Sequence, residues 1–263
     1  MGNNYVVGID SGSQNSKAVA LLNGEIVATA IVATEFDAKC AAEKAINELL
    51  DKLGIGKDSV QKIAATGTGR NLIDFADMHV NEVISAAKGA RSQSDKINMV
   101  LDMGAETSRV LALDEHGAAK NYVVNDRCAS GAGTFIETVA RALQIQPEEM
   151  GDIALKADKD IMLKAQCVVF VESEVISLIH QKETRENIAN GVHNGIGNRI
   201  CSMFRSLGIR DGVAFIGGPS LNKGLVASLS KELGQQVIVP DLSVFLSAAG
   251  AALAASEAVE RND

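Results

Sequence analysis

The chain has 263 residues, 46% of them hydrophobic, which suits one large unit or two domains of about 100–150 residues each. Its net charge of −8 leaves no basic stripe of the kind nucleic acid requires, and no apolar run reaches the roughly 18 residues of a membrane span, since the longest candidate, residues 246–255, is short and mostly alanine. No basic region precedes the first strand, so the start does not read as a signal peptide; a cytoplasmic location with reduced thiols is expected, and Cys40, Cys128, Cys167 and Cys201 are then not disulfides.

In chain order, Tyr5-Val6-Val7-Gly8-Ile9 reads as a strand. The turn Asp10-Ser11-Gly12-Ser13-Gln14-Asn15-Ser16-Lys17 follows it, then a strand over residues 18–22, a two-residue hairpin turn at Asn23-Gly24 and a strand over residues 25–32. A carboxylate at a strand end followed by a Gly/Ser turn suits a metal-bound phosphate: backbone N–H and hydroxyl groups cradle the oxygens, and Asp10 reaches Mg²⁺ through water. The same stretch also reads as an ordinary hairpin with polar turn residues. Residues 39–53 carry one apolar stripe through Ala41, Ala42, Ala45, Ile46, Leu49, Leu50 and Leu53 and are expected to be helical, with Cys40 buried or half-buried at the start. Residues 61–66 read as a strand ending in the turn Gly67-Thr68-Gly69-Arg70, and residues 81–91 as an Ala-rich helix. Arg70 is either a surface cation or part of an inter-domain face. His79 and Glu82, three residues apart, have no third metal ligand nearby and read as a surface helix.

The first turn then recurs. In Met99-Val100-Leu101-Asp102-Met103-Gly104-Ala105-Glu106-Thr107-Ser108-Arg109, five positions match the N-terminal pattern at one fixed offset of 92 residues: Asp10 with Asp102, Gly12 with Gly104, Ser16 with Ser108, Lys17 with Arg109, Leu21 with Leu113. A lone Asp-x-Gly says little; the repeat argues for two related β-sheet domains with converging phosphate turns. His116, in a turn after the second strand of that repeat, is expected to be exposed.

Two cysteine stretches follow. Cys128, in Asn125-Asp126-Arg127-Cys128-Ala129-Ser130-Gly131-Ala132-Gly133-Thr134, precedes a helix marked by Phe135, Ile136, Val139, Ala140 and Leu143. A helix N-terminus favours a thiolate, and Gly131 and Gly133 let backbone N–H groups approach what it holds. Cys167 stands in Ala165-Gln166-Cys167-Val168-Val169-Phe170-Val171-Glu172-Ser173-Glu174, where Glu172 and Glu174 read as a solvated helix face. Two thiolates per chain make half of a four-cysteine site. A zinc site is the rival, without a close Cys-x-x-Cys pair to support it. Cys201 lies on the apolar side of a helix around residues 198–204 and reads as core. A strand over residues 212–216 ends in Gly217-Gly218-Pro219, and residues 244–258 form a final helix.

The duplicated turns and the paired glycines resemble the acetate and sugar kinase, Hsp70 and actin superfamily. That resemblance implies an α/β fold of duplicated ribonuclease-H-like domains with a nucleotide cleft between them. The first domain would be residues 1–93 completed by a C-terminal helix, 244–263; the second would be residues 94–243. The cysteine stretches are similar to those of the BadF/BadG/BcrA/BcrD-type ATPases, which include activators of 2-hydroxyacyl-CoA dehydratases, ATP-hydrolysing subunits of benzoyl-CoA reductase and reductases of double-cubane proteins.

The family resemblance implies ATP with Mg²⁺ held by Asp10, Gly12, Ser13, Gln14, Ser16 and Lys17 in one turn and by Asp102, Gly104, Ala105 and Glu106 in the other. Gly217, Gly218 and Pro219 would pack against adenosine. It implies one 4Fe–4S cluster shared by a homodimer, or by a heterodimer with a sister subunit, with Cys128 and Cys167 as each chain's ligands. An electron from ferredoxin or flavodoxin would pass, driven by ATP hydrolysis, to an iron–sulfur partner enzyme. Here the second turn departs from the activators' Asp-Ile-Gly-Gly-Gln-Asp: Glu106 puts a carboxylate where a neutral amide is expected, either to activate water as a base or to repel phosphate unless Mg²⁺ intervenes. Cys128-Ala129-Ser130-Gly131 is nearer the benzoyl-CoA reductase type and the Cys167 stretch nearer the activators, so the electron acceptor stays open. A small-molecule kinase and a nucleotide-dependent structural protein are the alternatives, and neither class gives a reason for the two cysteines.

Overall fold

The computed structural model describes residues 5–125, 133–161, 163 and 168–260. It divides into two compact units, one of residues 1–97, 113–120 and 240–263, the other of residues 98–112 and 121–239.

The first unit is built on a five-stranded sheet in the order β3-β2-β1-β4-β5, made of β1 (Tyr5–Ser11), β2 (Asn15–Leu22), β3 (Glu25–Ala33), β4 (Val60–Thr66) and β5 (Met78–His79). β1 pairs antiparallel with β2 and parallel with β4, so it is central, and its near-continuous apolar run is what burial on both faces demands. Asn23 and Gly24 have φ of 54° and 82°, and Leu22 pairs with Glu25, the left-handed pair of a two-residue hairpin turn. Tyr5, Val7 and Ile9 face one side and pack with Ala42, Ala45, Ile46 and Leu49 of α1 (Ala38–Leu53). That helix starts at Asp37, whose Oδ1 accepts the Cys40 N–H at 3.0 Å, and stops at Gly54 with φ 65°. Cys40 is exposed, contrary to the buried or half-buried position expected, because it sits in the first turn on the face away from the α1 stripe.

The other face of the sheet is covered by α2 (Glu82–Arg91) and α8 (Leu246–Glu260). Close approach here depends on missing side chains. A Cβ on Gly8 would lie 2.0 Å from the Ala248 carbonyl oxygen; one on Gly89 would lie 1.8 Å from that of Leu246, and one on Gly250 1.8 Å from that of Ser85. The alanine richness of α8 is therefore a packing requirement: Ser243–Glu260 is apolar enough by composition to cross a membrane, and its small residues are buried against β1, β4 and α2.

The second unit carries a four-stranded sheet, β8-β7-β6-β9, from β6 (Met99–Met103), β7 (Ser108–Leu113), β8 (Ala119–Asn125) and β9 (Val213–Ile216). β6 pairs antiparallel with β7 and parallel with β9, repeating the relation of β1 to β2 and β4. Its helices are α3 (Gly133–Leu143), α4 (Met150–Ala154), α5 (Val168–His180), α6 (Arg185–Leu207) and α7 (Lys223–Leu233). Leu101, Met103 and Phe215 meet Phe135, Val139 and Leu143 of α3 and an α6 ridge of Ile188, Val192, Ile196, Ile200 and Phe204. Cys201 is wholly buried in this core, and burial raises its thiol pKa to about 11. His193, also on α6, is buried too, and burial lowers its pKa to about 4 against a weaker upward pull from the Ala189 carbonyl.

Candidate functional site

The first turn leaves β1 at Asp10. Register places Lys17 opposite, and Lys17 Nζ lies 3.0 Å from Asp10 Oδ2 with the two side chains only 14% and 15% exposed. A carboxylate so balanced stays compatible with low exposure. The Gly12 N–H donates to Asn15 O at 3.2 Å and closes the turn, leaving Ser13 and Gln14 exposed at its tip. Thr34 Oγ1 donates to Gly12 O at 2.8 Å, and Ser16, with no exposed surface, holds Thr34 by a hydroxyl pair at 3.2 Å. Ser16 thus supports the turn from beneath. At the end of β4, Gly67 has φ +89°, and a Cβ there would lie 2.5 Å from Asp10 Oδ1. Arg70 fixes that crossing: its guanidinium donates to Gly67 O at 3.0 Å and to Glu82 Oε2 at 2.7 Å. His79 Nε2 pairs with Ile73 O at 3.1 Å, so His79 and Glu82 serve separate local contacts.

The second turn repeats these relations in its own unit. Asp102 is the penultimate residue of β6, Arg109 stands opposite, and the pair is 3.3 Å apart. The Gly104 N–H donates to Thr107 O at 2.8 Å, the same bond as Gly12 to Asn15 at the 92-residue offset. Glu106 is exposed at the tip, where the first turn has Gln14. After β9, Gly217 has φ +94°, and a Cβ there would lie 2.1 Å from Met103 O. Because Asp10 pairs with Thr66 and Asp102 with Ile216, Gly67 and Gly217 occupy equivalent positions. Sequence reasoning singled out Gly217 and passed over Gly67 as a site residue; the shared signal is a glycine directly after a strand parallel to the turn-bearing one.

The start of α3 is fastened to the second turn. The Gly133 N–H donates to Gly104 O at 3.0 Å; the Thr134 N–H and Oγ1 both donate to Ala105 O, at 2.9 and 2.8 Å. A Cβ on Gly133 would lie 3.2 Å from Pro219 Cγ and 3.3 Å from Gly104 O. Gly104, Ala105, Gly133, Gly217 and Pro219 therefore converge in the second unit, with Gly218 exposed beside them. Asp10, Gly12, Ser13, Gln14, Ser16 and Lys17 converge in the first. Cys128, Cys167 and Gly131 lie outside the described residues.

Each turn has the make-up of an anion site: a short glycine-containing turn stands over a carboxylate balanced by a cation, a pair suited to an outer-sphere divalent ion. Glycine at each crossing permits a close approach to the turn-bearing strand, where a Cβ would meet Asp10 Oδ1 in the first unit and Met103 O in the second. These features fit a nucleoside phosphate with its metal.

Comparison with known proteins agrees. The model of the BadF/BadG/BcrA/BcrD ATPase family matches residues 7–255. The "Activator of lactoyl-CoA dehydratase" of Anaerotignum propionicum is 33% identical over 98% of this chain and 99% of its own. A benzoyl-CoA reductase subunit of Thauera aromatica is 34% identical over 81% of this chain and 77% of its own. Among solved structures, the activator of the 2-hydroxyisocaproyl-CoA dehydratase from Clostridium difficile with bound ADPNP superposes with a TM-score of 0.93, at 31% identity over 98% of this chain and 96% of that one. At the level of fold alone the likeness extends to MreB 5 of Spiroplasma citri bound to AMPPNP, with a TM-score of 0.60 at 11% identity, in keeping with the duplicated ribonuclease-H-like architecture.

Proposed function

We propose, for a chain that belongs to the BadF/BadG/BcrA/BcrD ATPase family, that it is an ATP-hydrolysing activator coupling nucleotide turnover to low-potential electron transfer into a partner acyl-CoA dehydratase, reductase or double-cubane protein. The observation that supports this reading most is the fastening of α3, the helix directly after the Cys128 segment, to the second phosphate turn. A phosphate-binding turn bonded to that helix has a physical reason to be there if nucleotide and thiolates work together.

In this reading Gly12, Ser13, Gln14 and Lys17 hold phosphate oxygens from the first turn, and Gly104 and Ala105 from the second. Asp10 and Asp102 orient the waters of Mg²⁺. Glu106, exposed at the tip, accepts a proton from the attacking water in this reading, the role its carboxylate allows and an amide does not. Gly217, Gly218 and Pro219 pack on the adenosine, and Gly131 and Gly133 shape the backbone around Cys128. Cys128 and Cys167, with the same pair from a second copy, hold a 4Fe–4S cluster, which supplies a low-potential one-electron carrier when bound.

Anaerobic purification tests this. The expected product is a brown dimer with about four irons and a Mg²⁺-dependent ATPase. Cys128→Ser abolishes the iron and keeps nucleotide binding. A colourless protein that phosphorylates a small acid or sugar contradicts the proposal.

A further inference from the structure

We infer that Thr134 is a positioning residue that transmits the occupancy of the second phosphate turn to the start of α3. The inference rests on the nucleotide reading above and names the device by which that turn acts.

The two turns, alike in hydrogen bonding, differ in what holds them from behind. In the first, the Gly12 carbonyl accepts from Thr34 Oγ1, a hydroxyl just beyond the end of β3. In the second, the carbonyl 92 positions on, that of Gly104, accepts instead from the Gly133 N–H, and Ala105 O takes two bonds from Thr134. The first N–H groups of a helix have no partner within it. Those of Gly133 and Thr134 find theirs in the turn.

Peptide planarity makes this a mechanical link. The Gly104 carbonyl and the Ala105 N–H belong to one rigid plane, as do the Ala105 carbonyl and the Glu106 N–H. A phosphate that accepts from those N–H groups fixes the orientation of the same planes whose oxygens accept from Gly133 and Thr134. It also polarises them and strengthens the bonds behind. Loss of the phosphate frees the planes to turn, and the α3 start loosens with them. Thr134 is the strongest tie, because its side chain and backbone hold one oxygen at 2.8 and 2.9 Å. Glycine at 133 permits the approach, with Pro219 and Gly104 too near for a Cβ to fit easily.

The test uses the full chain, purified anaerobically, as wild type, Thr134→Val and Thr134→Ser. Amide hydrogen exchange across residues 133–143 is followed with a non-hydrolysable ATP analogue, with ADP and with neither, and analogue affinity is measured alongside. In the wild type the analogue slows exchange at the α3 start, and Thr134→Val erases most of that difference. The expected change is about three- to tenfold in rate, what one ordinary hydrogen bond sets, with analogue affinity held within about threefold. Thr134→Ser restores the difference, which a merely structural role of the methyl group would not give. Nucleotide binding without any change in α3, or a Thr134→Val protein that keeps the full difference, overturns the link and leaves the nucleotide reading standing. A wild type that binds no nucleotide overturns both.

Discussion

Gly217→Ala is the sharpest test of the crossing beneath the second turn. The residue has φ 94° and ψ 172°, a region open essentially only to glycine, so any side chain there costs of order 1–3 kcal/mol in backbone strain. The new Cβ would also lie 2.1 Å from Met103 O and 2.9 Å from its carbonyl carbon, backbone atoms of β6 that no rotamer change can move aside. Relief needs β6 and β9 to separate where Asp102 pairs with Ile216, so the total should exceed about 3 kcal/mol. Gly234→Ala is the control: φ is +68°, but nothing lies within 4 Å of its Cβ, and only the left-handed penalty of about 1 kcal/mol applies. Thermal unfolding followed by circular dichroism should show Gly217→Ala lowering Tm by roughly 6–12 °C and Gly234→Ala by about 2–4 °C. Equal shifts for the two variants would refute the claim that backbone crowding, rather than φ alone, makes glycine necessary at 217.

Other expectations follow from single residues. His193 is held neutral in the fold, with its pKa lowered to about 4 from 6.5, so the unfolded chain binds the extra proton first. Stability is full above pH 6.5 and falls as pH drops toward 4, by about 3 kcal/mol in all, and His193→Leu should flatten a urea-unfolding profile across that window. Alkylation at pH 7.5 under denaturant-free conditions should label exposed Cys40 and spare Cys201, whose thiol is buried and pushed up to about 11; mass spectrometry of the peptides reads this directly, and rapid labelling of Cys201 would contradict its placement. Asp10→Asn should lose ATP hydrolysis and keep iron content, because the amide cannot orient Mg²⁺ waters; an undiminished ATPase rate sinks that role.

Local chemistry was the part of the fold most legible in sequence. Asn23-Gly24 specified its turn, the α1 stripe named the residues that α1 buries together with half-buried Leu53, and the 92-residue offset marked two related turns, each of which closes with an equivalent hydrogen bond. α6 was visible only around residues 198–204, because Gly191, Gly195 and Gly197 dilute its ridge and lower helix propensity. Tertiary contacts explain two of those glycines: a Cβ on Gly191 would lie 2.8 Å from Ile161 Cγ1, and one on Gly197 2.6 Å from Ser228 Oγ. Gly67 was missed for a related reason, since only the pairing of β1 with β4 sets it against Asp10. The bonds from Gly133 and Thr134 to the second turn span 29 residues and carry no local signal. Cys40 was misjudged because a helix start does not reveal which face its first turn presents.

Nucleotide and thiolates acting as one device is the central claim. The most direct measurement is the rate at which a chelator strips iron from the anaerobically purified protein, without nucleotide and with a non-hydrolysable ATP analogue. A rate that changes severalfold on adding the analogue, and a Cys128→Ser protein with no iron to strip, is the predicted result. Iron lost at one rate whatever nucleotide is present, or held undiminished by Cys128→Ser, would contradict it.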